Sequence, residues 1–203
     1  TVFARKKQKP ALIPGGLGLM TGKAGLTRVT SDPGCSNLVT GLATANTEGD
    51  PVVAIGGQET ISNRLKQIHQ SMDTVNLFRP VTKYSTMVTA PGQFAHHLRR
   101  AVRLARSGRP GPVHLNVPVD LWGQLVKDDR GIEPATYRAD PRLFDRAEVG
   151  RAAAALVAAE RPVFLVGSGA ADAHARAALA ALAELLPARV ATSPRAKGLF
   201  PED

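Results

Sequence analysis

Two short polar stretches hold the side chains best placed to do chemistry. Ser31-Asp32-Pro33-Gly34-Cys35-Ser36-Asn37 follows one apolar run, and Gly56-Gly57-Gln58 follows another. If both runs are strands of one parallel sheet, the two stretches share its carboxyl edge, where ligands of such sheets bind. A third stretch, Gly167-Ser168-Gly169-Ala170, follows a strand-like run and opens a helical pattern. It lacks the third glycine and later acidic residue of a dinucleotide fingerprint, so it reads first as a tight strand-to-helix turn. Cys35 is the single cysteine and cannot close an internal disulfide, which points to a reducing, cytoplasmic setting. One cysteine and five scattered histidines build no metal site, and no acidic cluster offers ligands for Mg²⁺.

The elements that must carry these residues follow from apolar spacing. Thr30 to Gln58 reads as a strand end, a turn at Thr30–Gly34, a helix from Asn37 to Asn46 and a buried strand from Pro51 to Ile55 ended by Gly56-Gly57. Such a βαβ unit requires a parallel sheet. Before it, Val2-Phe3-Ala4 could end a strand. Arg5 to Met20 should be helical but broken or kinked at Pro14, because a mid-helix proline costs about 3 kcal/mol and each glycine about 1. Leu26 to Thr30 reads as a strand. Glu59 to Thr74 reads as loop with short helical turns, and Asp73 as the cap of a helix reaching Phe78.

Tyr84 to Val88 reads as a strand, Gln93 to Arg106 as an amphipathic helix and Val113 to Val117 as a buried strand. His96 and His97 should face solvent on that helix, His114 falls in the strand, and His174 on a surface helix. Leu125 to Asp145 is polar, interrupted by Pro134 and Pro141, and reads as a linker. A second α/β pattern follows, with helices at 147–159 and 173–186 and strands at 162–166 and 189–192. The expected organisation is a domain over 1–124, a linker over 125–145 and a partial second domain over 146–203.

Charge and hydropathy exclude two classes of partner. The net charge is +9, but arginine is spread through nearly every segment, and aromatics are only 4%, too few for a base-stacking platform. No nucleic-acid motif follows. No apolar run approaches the ~20 residues that span a bilayer, and the basic N-terminus has no apolar stretch behind it, so neither membrane insertion nor a signal peptide is expected.

The stretch TSDPGCSN, followed by TGLATANTEGDPVVAIGGQ, resembles the pyrimidine-binding domain of thiamine-diphosphate enzymes of the acetolactate synthase group. RLKQIHQSMDTVNLFRPVTKYS, from Arg64 to Ser85, resembles the FAD-independent catabolic branch. RPVFLVGSGA and KGLFPED resemble the first half of the central domain. The resemblance implies a doubly wound parallel sheet followed by part of a Rossmann-like domain, and a chain incomplete at both ends. It implies thiamine diphosphate and Mg²⁺ as cofactors without FAD, and pyruvate or another 2-oxo acid as substrate. The reaction it implies is decarboxylation of pyruvate and transfer of the two-carbon unit to a second 2-oxo acid. It also implies a homo-oligomer, or pairing with a full-length subunit of such an enzyme.

Residue by residue, Pro33, Gly34 and Asn37 match the family's cofactor-facing positions, and Gln58 a glutamine near the thiazolium side. His69 and Gln70 match a histidine–glutamine pair at the active edge of the catabolic branch. Asp32 departs from the family's Gly-Pro-Gly and puts a carboxylate where φ > 0 is expected. Lys7 stands where the family has a glutamate that bonds the pyrimidine ring nitrogen and promotes loss of the thiazolium C2 proton. An ammonium cannot accept a proton at neutral pH unless burial lowers its pKa by several units. The expectation is severe impairment of that step, or a solvated surface lysine; the competing role is a non-catalytic fragment or interaction partner of an intact enzyme.

Overall fold

The computed structural model describes residues 9–21, 23–63, 66, 68–126, 144–171 and 173–200. The chain divides into two compact units, Thr1–Asp140 and Pro141–Asp203.

The first unit is built on four parallel strands: β1 (Gly25–Val29), β2 (Val52–Gln58), β3 (Tyr84–Met87) and β4 (Val113–Pro118), in spatial order β1-β2-β4-β3. Around them lie α1 (Lys9–Thr21), α2 (Pro33–Ser36), α3 (Val39–Glu48), α4 (Thr74–Phe78) and α5 (Phe94–Arg106). β2 and β4 are buried on both faces; β2 accordingly reads as a continuous apolar run, while β4 alternates apolar residues with the buried His114 and Asn116. On one face Val53, Ile55, Val113, Leu115 and Val117 pack against Ala101 and Ala105 of α5. On the other, Val52 and Ala54 meet Cys35, Leu38, Leu42 and Phe78 from α2, α3 and α4. The sheet is thus covered on both sides, the doubly wound α/β arrangement.

Three sequence expectations change here. β2 does not end at Gly56-Gly57 but runs on to Gln58, because Gly56, Gly57 and Gln58 continue the ladder opposite Asn116, Val117 and Pro118. The expected turn at Thr30–Gly34 closes into the short helix α2, and the helix expected from Asn37 to Asn46 is α3, displaced by two residues to Val39–Glu48. The expected break at Pro14 is absent, since α1 runs through it. The reason is packing. Pro14, Gly15 and Gly18 form the buried face of α1, and a Cβ on Gly25 of β1 would stand 2.3 Å from the Pro14 carbonyl oxygen. A Cβ on Gly18 would stand 3.3 Å from Pro51. The small residues that weaken the helix locally let it lie directly on the sheet, and tertiary burial outweighs propensity.

Two cations close the amino edge of the sheet. The Lys83 ammonium donates to the carbonyls of Leu104, Ser107 and Arg109 at 2.5, 2.7 and 2.8 Å. These carbonyls lie at and just beyond the end of α5, so the charge also meets the negative end of the helix dipole. The Arg109 guanidinium donates to the carbonyls of Asn46, at 2.7 Å, and Thr47, near the end of α3.

The second unit contains α6 (Arg146–Ala158), β5 (Val163–Val166), α7 (Ala173–Leu185) and β6 (Arg189–Thr192), with β5 and β6 paired in parallel. Gly167 leads into a single 3₁₀ turn at Ser168–Ala170. Val163 and Leu165 of β5 are exposed.

Candidate functional site at the carboxyl edge of the sheet

The carboxyl ends of β1 and β2 meet because the segment after β1 folds tightly back over Gly57. A Cβ on Gly57 would lie 3.0 Å from the Ser31 backbone nitrogen, and one on Gly34 would lie 2.5 Å from Thr30 Cγ2. Glycine at 57 thus admits the Ser31 backbone, and glycine at 34 admits the Thr30 side chain. Cys35 ties the turn down, its thiol donating to the Thr30 carbonyl at 3.2 Å. Burial, helped by the nearby Asp32 charge, pushes that thiol up to about 12, so it packs rather than reacts.

Asp32 adopts φ 39°, in the positive-φ region that favours glycine. It is 4% exposed, and neither carboxylate oxygen has a hydrogen-bond partner among the described residues. Burial raises its pKa above the usual carboxylate range. The backbone amides of Met72 and Asp32 and the nearby His69 pull the other way, while Glu59 adds to the rise. Those amides face the carboxylate without completing hydrogen bonds.

Gln58, also 4% exposed, donates from Nε2 to the Met72 carbonyl at 3.0 Å. A carbonyl can only accept, which fixes the orientation of the Gln58 amide. Its Oε1 is consequently buried without a partner among the described residues. Two residues back along the chain from Met72, Gln70 has φ 62° and accepts a hydrogen bond on Oε1 from the Ser31 hydroxyl at 2.8 Å. The segment 68–73 thus lies across the ends of β1 and β2, pinned by Ser31–Gln70 and Gln58–Met72. It is continued by Asp73, whose carboxylate accepts from the Asn76 amide at 3.0 Å and caps α4, as its sequence position suggested.

The structure brings Gln58, Gln70, Asp32 and Ser31 together and places an exposed His69 on their flank. Gly34 is buried in the turn and Pro33 is exposed at its surface. Asn37 turns back on its own turn, donating to the Pro33 carbonyl. Lys7 lies outside the described residues. The Ser31–Gln70 bond and the role of Met72 were missed by sequence reasoning, because nothing local marks a bond that spans 39 positions.

A buried polar column continues inward from this edge along the same sheet face. Asn116 Nδ2 donates to the Thr74 hydroxyl. His114, fully buried, shares a hydrogen bond of 3.0 Å between Nδ1 and the Ser85 hydroxyl, and its ring lies 4.2 Å from that of Phe78. Burial pushes His114 down to about 3. The period-2 alternation of β4 carries this signal in the sequence, since it puts His114 and Asn116 on one face. His97, expected to face solvent, is partly buried, and its Nδ1 has no partner among the described residues. The i, i+4 face of α5 shared with Ala101 turns it inward.

Among the described residues, no three or more His, Cys, Asp or Glu side chains are placed to hold a metal ion. An apolar pocket of about 170 Å³ near the start of α5 is lined by Val88, Phe94, Val117, Leu121 and Trp122 and offers no titratable group. No helix among the described residues is long and apolar enough to cross a membrane.

A covered parallel sheet with a polar site at its carboxyl edge defines the class: an α/β ligand-binding domain followed by a second α/β unit. Two family models match this division of the chain. The thiamine pyrophosphate enzyme N-terminal TPP binding domain matches residues 1–77, and the thiamine pyrophosphate enzyme central domain matches 149–203. Catabolic acetolactate synthase of Raoultella terrigena is 43% identical over 163 residues, 80% of this chain and 29% of that protein. Acetolactate synthase of Bacillus subtilis is 39% identical over 166 residues, 82% of this chain and 29% of that protein. The probable acetolactate synthase large subunit of Methanocaldococcus jannaschii is 34% identical over 208 residues, 100% of this chain and 35% of that protein. The chain belongs to the thiamine-diphosphate enzyme family, in its acetolactate synthase group. It spans about a third of the length of these relatives.

Proposed function

We propose that this chain supplies the pyrimidine side of a thiamine-diphosphate site of the catabolic acetolactate synthase type, with impaired catalysis of its own. The observation that carries the reading is the convergence of Gln58, Gln70 and the Ser31–Gly34 turn on one carboxyl edge. Buried acceptors there suit a ring that bears an amino group. When bound, thiamine diphosphate would supply the carbon nucleophile and electron sink for pyruvate decarboxylation. In this reading Gln58 and Gln70 position the reacting side of the site, His69 stands at its rim, and Pro33, Gly34 and Asn37 shape the turn against the ring. Mg²⁺ and the diphosphate would be held by groups other than the described residues, which offer no donor set for them. The His69-Gln70 pair is the basis for a flavin-independent reaction, and Lys7 in place of glutamate is the basis for impairment.

The domain division at 1–124, 125–145 and 146–203 belongs to the same proposal, as does a cytoplasmic homo-oligomer. Calorimetric titration with thiamine diphosphate and Mg²⁺, alone and mixed with an intact relative, tests it. Saturable binding in either setting supports the cofactor reading, and no heat in both sinks it. Deuterium exchange at C2 of the bound cofactor tests the impairment. Slow exchange that Lys7→Glu accelerates is expected, and a rate equal to that of an active relative removes the argument from Lys7.

One observation favours the second reading, a non-catalytic partner of an intact thiamine-diphosphate enzyme subunit. Leu12, Ile13 and Leu17 are exposed on the outward side of α1, an apolar stripe suited to another subunit. Co-purification with a full-length enzyme, lost on Leu17→Lys without loss of cooperative unfolding, is the expected outcome. A chain that stays alone in its presence rules that role out.

A further inference from the structure

Buried polar atoms in folded proteins nearly always have partners, and a cluster without them asks for a ligand. At the ends of β1 and β2, three acceptor atoms are orphaned among the described residues: both carboxylate oxygens of Asp32 and Oε1 of Gln58. Each side chain is 4% exposed. The two flank Met72, whose carbonyl accepts from Gln58 while its amide faces Asp32. Asn116 Oδ1 is also unpartnered, but its Thr74 hydroxyl partner can donate or accept, so that amide does not establish a further acceptor. The firm set is therefore three acceptors, with Glu59 adding negative field and His69 opposing it from nearby.

We infer that Asp32 and Gln58 form a binding site for a small planar N–H donor cation of the amidinium type. The two coplanar oxygens of a carboxylate match two parallel N–H bonds of such a group, a paired hydrogen-bond geometry that an ammonium does not reproduce. Gln58 Oε1 supplies a third acceptor. Mg²⁺ demands near-octahedral oxygen coordination, and the described residues place no cluster of carboxylates for it. The acceptors lie beside Met72, whose carbonyl accepts from Gln58 Nε2 at 3.0 Å and from the Thr74 amide at 2.9 Å. Asp32 stands where the family pattern has glycine, so this site is a property of this chain and not of the turn.

The test uses the full chain and three probes, followed by NMR of the Gln58 side-chain amide and the Met72 backbone amide. Acetamidinium is expected to shift both resonances saturably in the millimolar range. Tetramethylammonium, a cation with no N–H, and Mg²⁺ are expected to leave them in place. Asp32→Gly suits the positive φ, and Asp32→Asn keeps the shape, so both variants fold. Each is expected to weaken acetamidinium binding about tenfold or more through loss of the charge-assisted pair. Equal shifts from tetramethylammonium or Mg²⁺, undiminished binding in both variants, or no saturable shift from acetamidinium each overturn the proposal. The result stands apart from the thiamine-diphosphate titration, since either experiment can succeed while the other fails.

Discussion

Gln58 at the end of β2 and Met72 on the segment above it are joined by a hydrogen bond of 3.0 Å. The amide of the same residue faces the Asp32 carboxylate and opposes the rise in pKa that burial causes. One residue of backbone therefore both satisfies the Gln58 donor and acts on the acid. Whatever occupies this edge must contend with that residue, and the energetics of Asp32 follow from it.

Asp32→Gly should stabilise the protein. The substitution removes a side chain from a positive-φ position and a buried carboxylate without partners, two effects that together amount to about 1–3 kcal/mol. The direction with pH is fixed by the raised pKa. The folded state holds its proton more tightly than the unfolded chain does, so the native Asp32 is least harmful below its ordinary value of 3.8. Its cost grows as pH rises through the folded value. The gain from Asp32→Gly should therefore be larger at about pH 7 than at about pH 4. Urea midpoints at the two values measure it, and equal gains would remove the electrostatic part of the argument.

His114 makes the opposite contribution. Burial depresses its pKa from 6.5 to about 3, so the unfolded chain takes up a proton that the folded chain refuses. Stability is fully present above 6.5 and is lost as pH falls toward about 3, at up to ~1.4 kcal/mol per pH unit. His114→Gln keeps a polar group near Ser85 but cannot titrate. It should flatten the decline in denaturation midpoint between those values, whatever it costs at neutral pH.

Gly25→Ala tests the packing of α1 on β1. The new Cβ would meet the Pro14 carbonyl at 2.3 Å and the Pro14 Cβ at 2.5 Å, and backbone cannot yield as a side chain can. A loss of about 1–3 kcal/mol or more is expected, read by thermal unfolding. Gly16→Ala meets nothing within 4 Å and should be neutral or stabilising, by up to about 1 kcal/mol.

Arg109→Ala removes both donors to the α3 carbonyls of Asn46 and Thr47. Charge-assisted bonds of this kind contribute about 1.5–3 kcal/mol when well formed, and exposure of the group lowers the expectation to about 1 kcal/mol. Faster hydrogen exchange confined to the last turn of α3 is the accompanying signature.

The sequence by itself determined the alternation of strands and helices, the parallel sheet and the family, because these rest on local periodicity and on motifs contiguous along the chain. Val52–Ile55 is apolar on both faces, which only a doubly covered sheet tolerates. The Asp73 cap was legible for the same reason, since it acts within three residues. Only the tertiary structure decided that Pro14 sits inside an unbroken helix, because the compensation comes from Gly25 on a neighbouring strand. Nor does local spacing bring Ser31 to Gln70, bury His114 beside Ser85, or enclose Asp32 beside Met72. Those relationships join segments 29 to 40 positions apart, and they exist only once the sheet has set the register that brings the strand ends together.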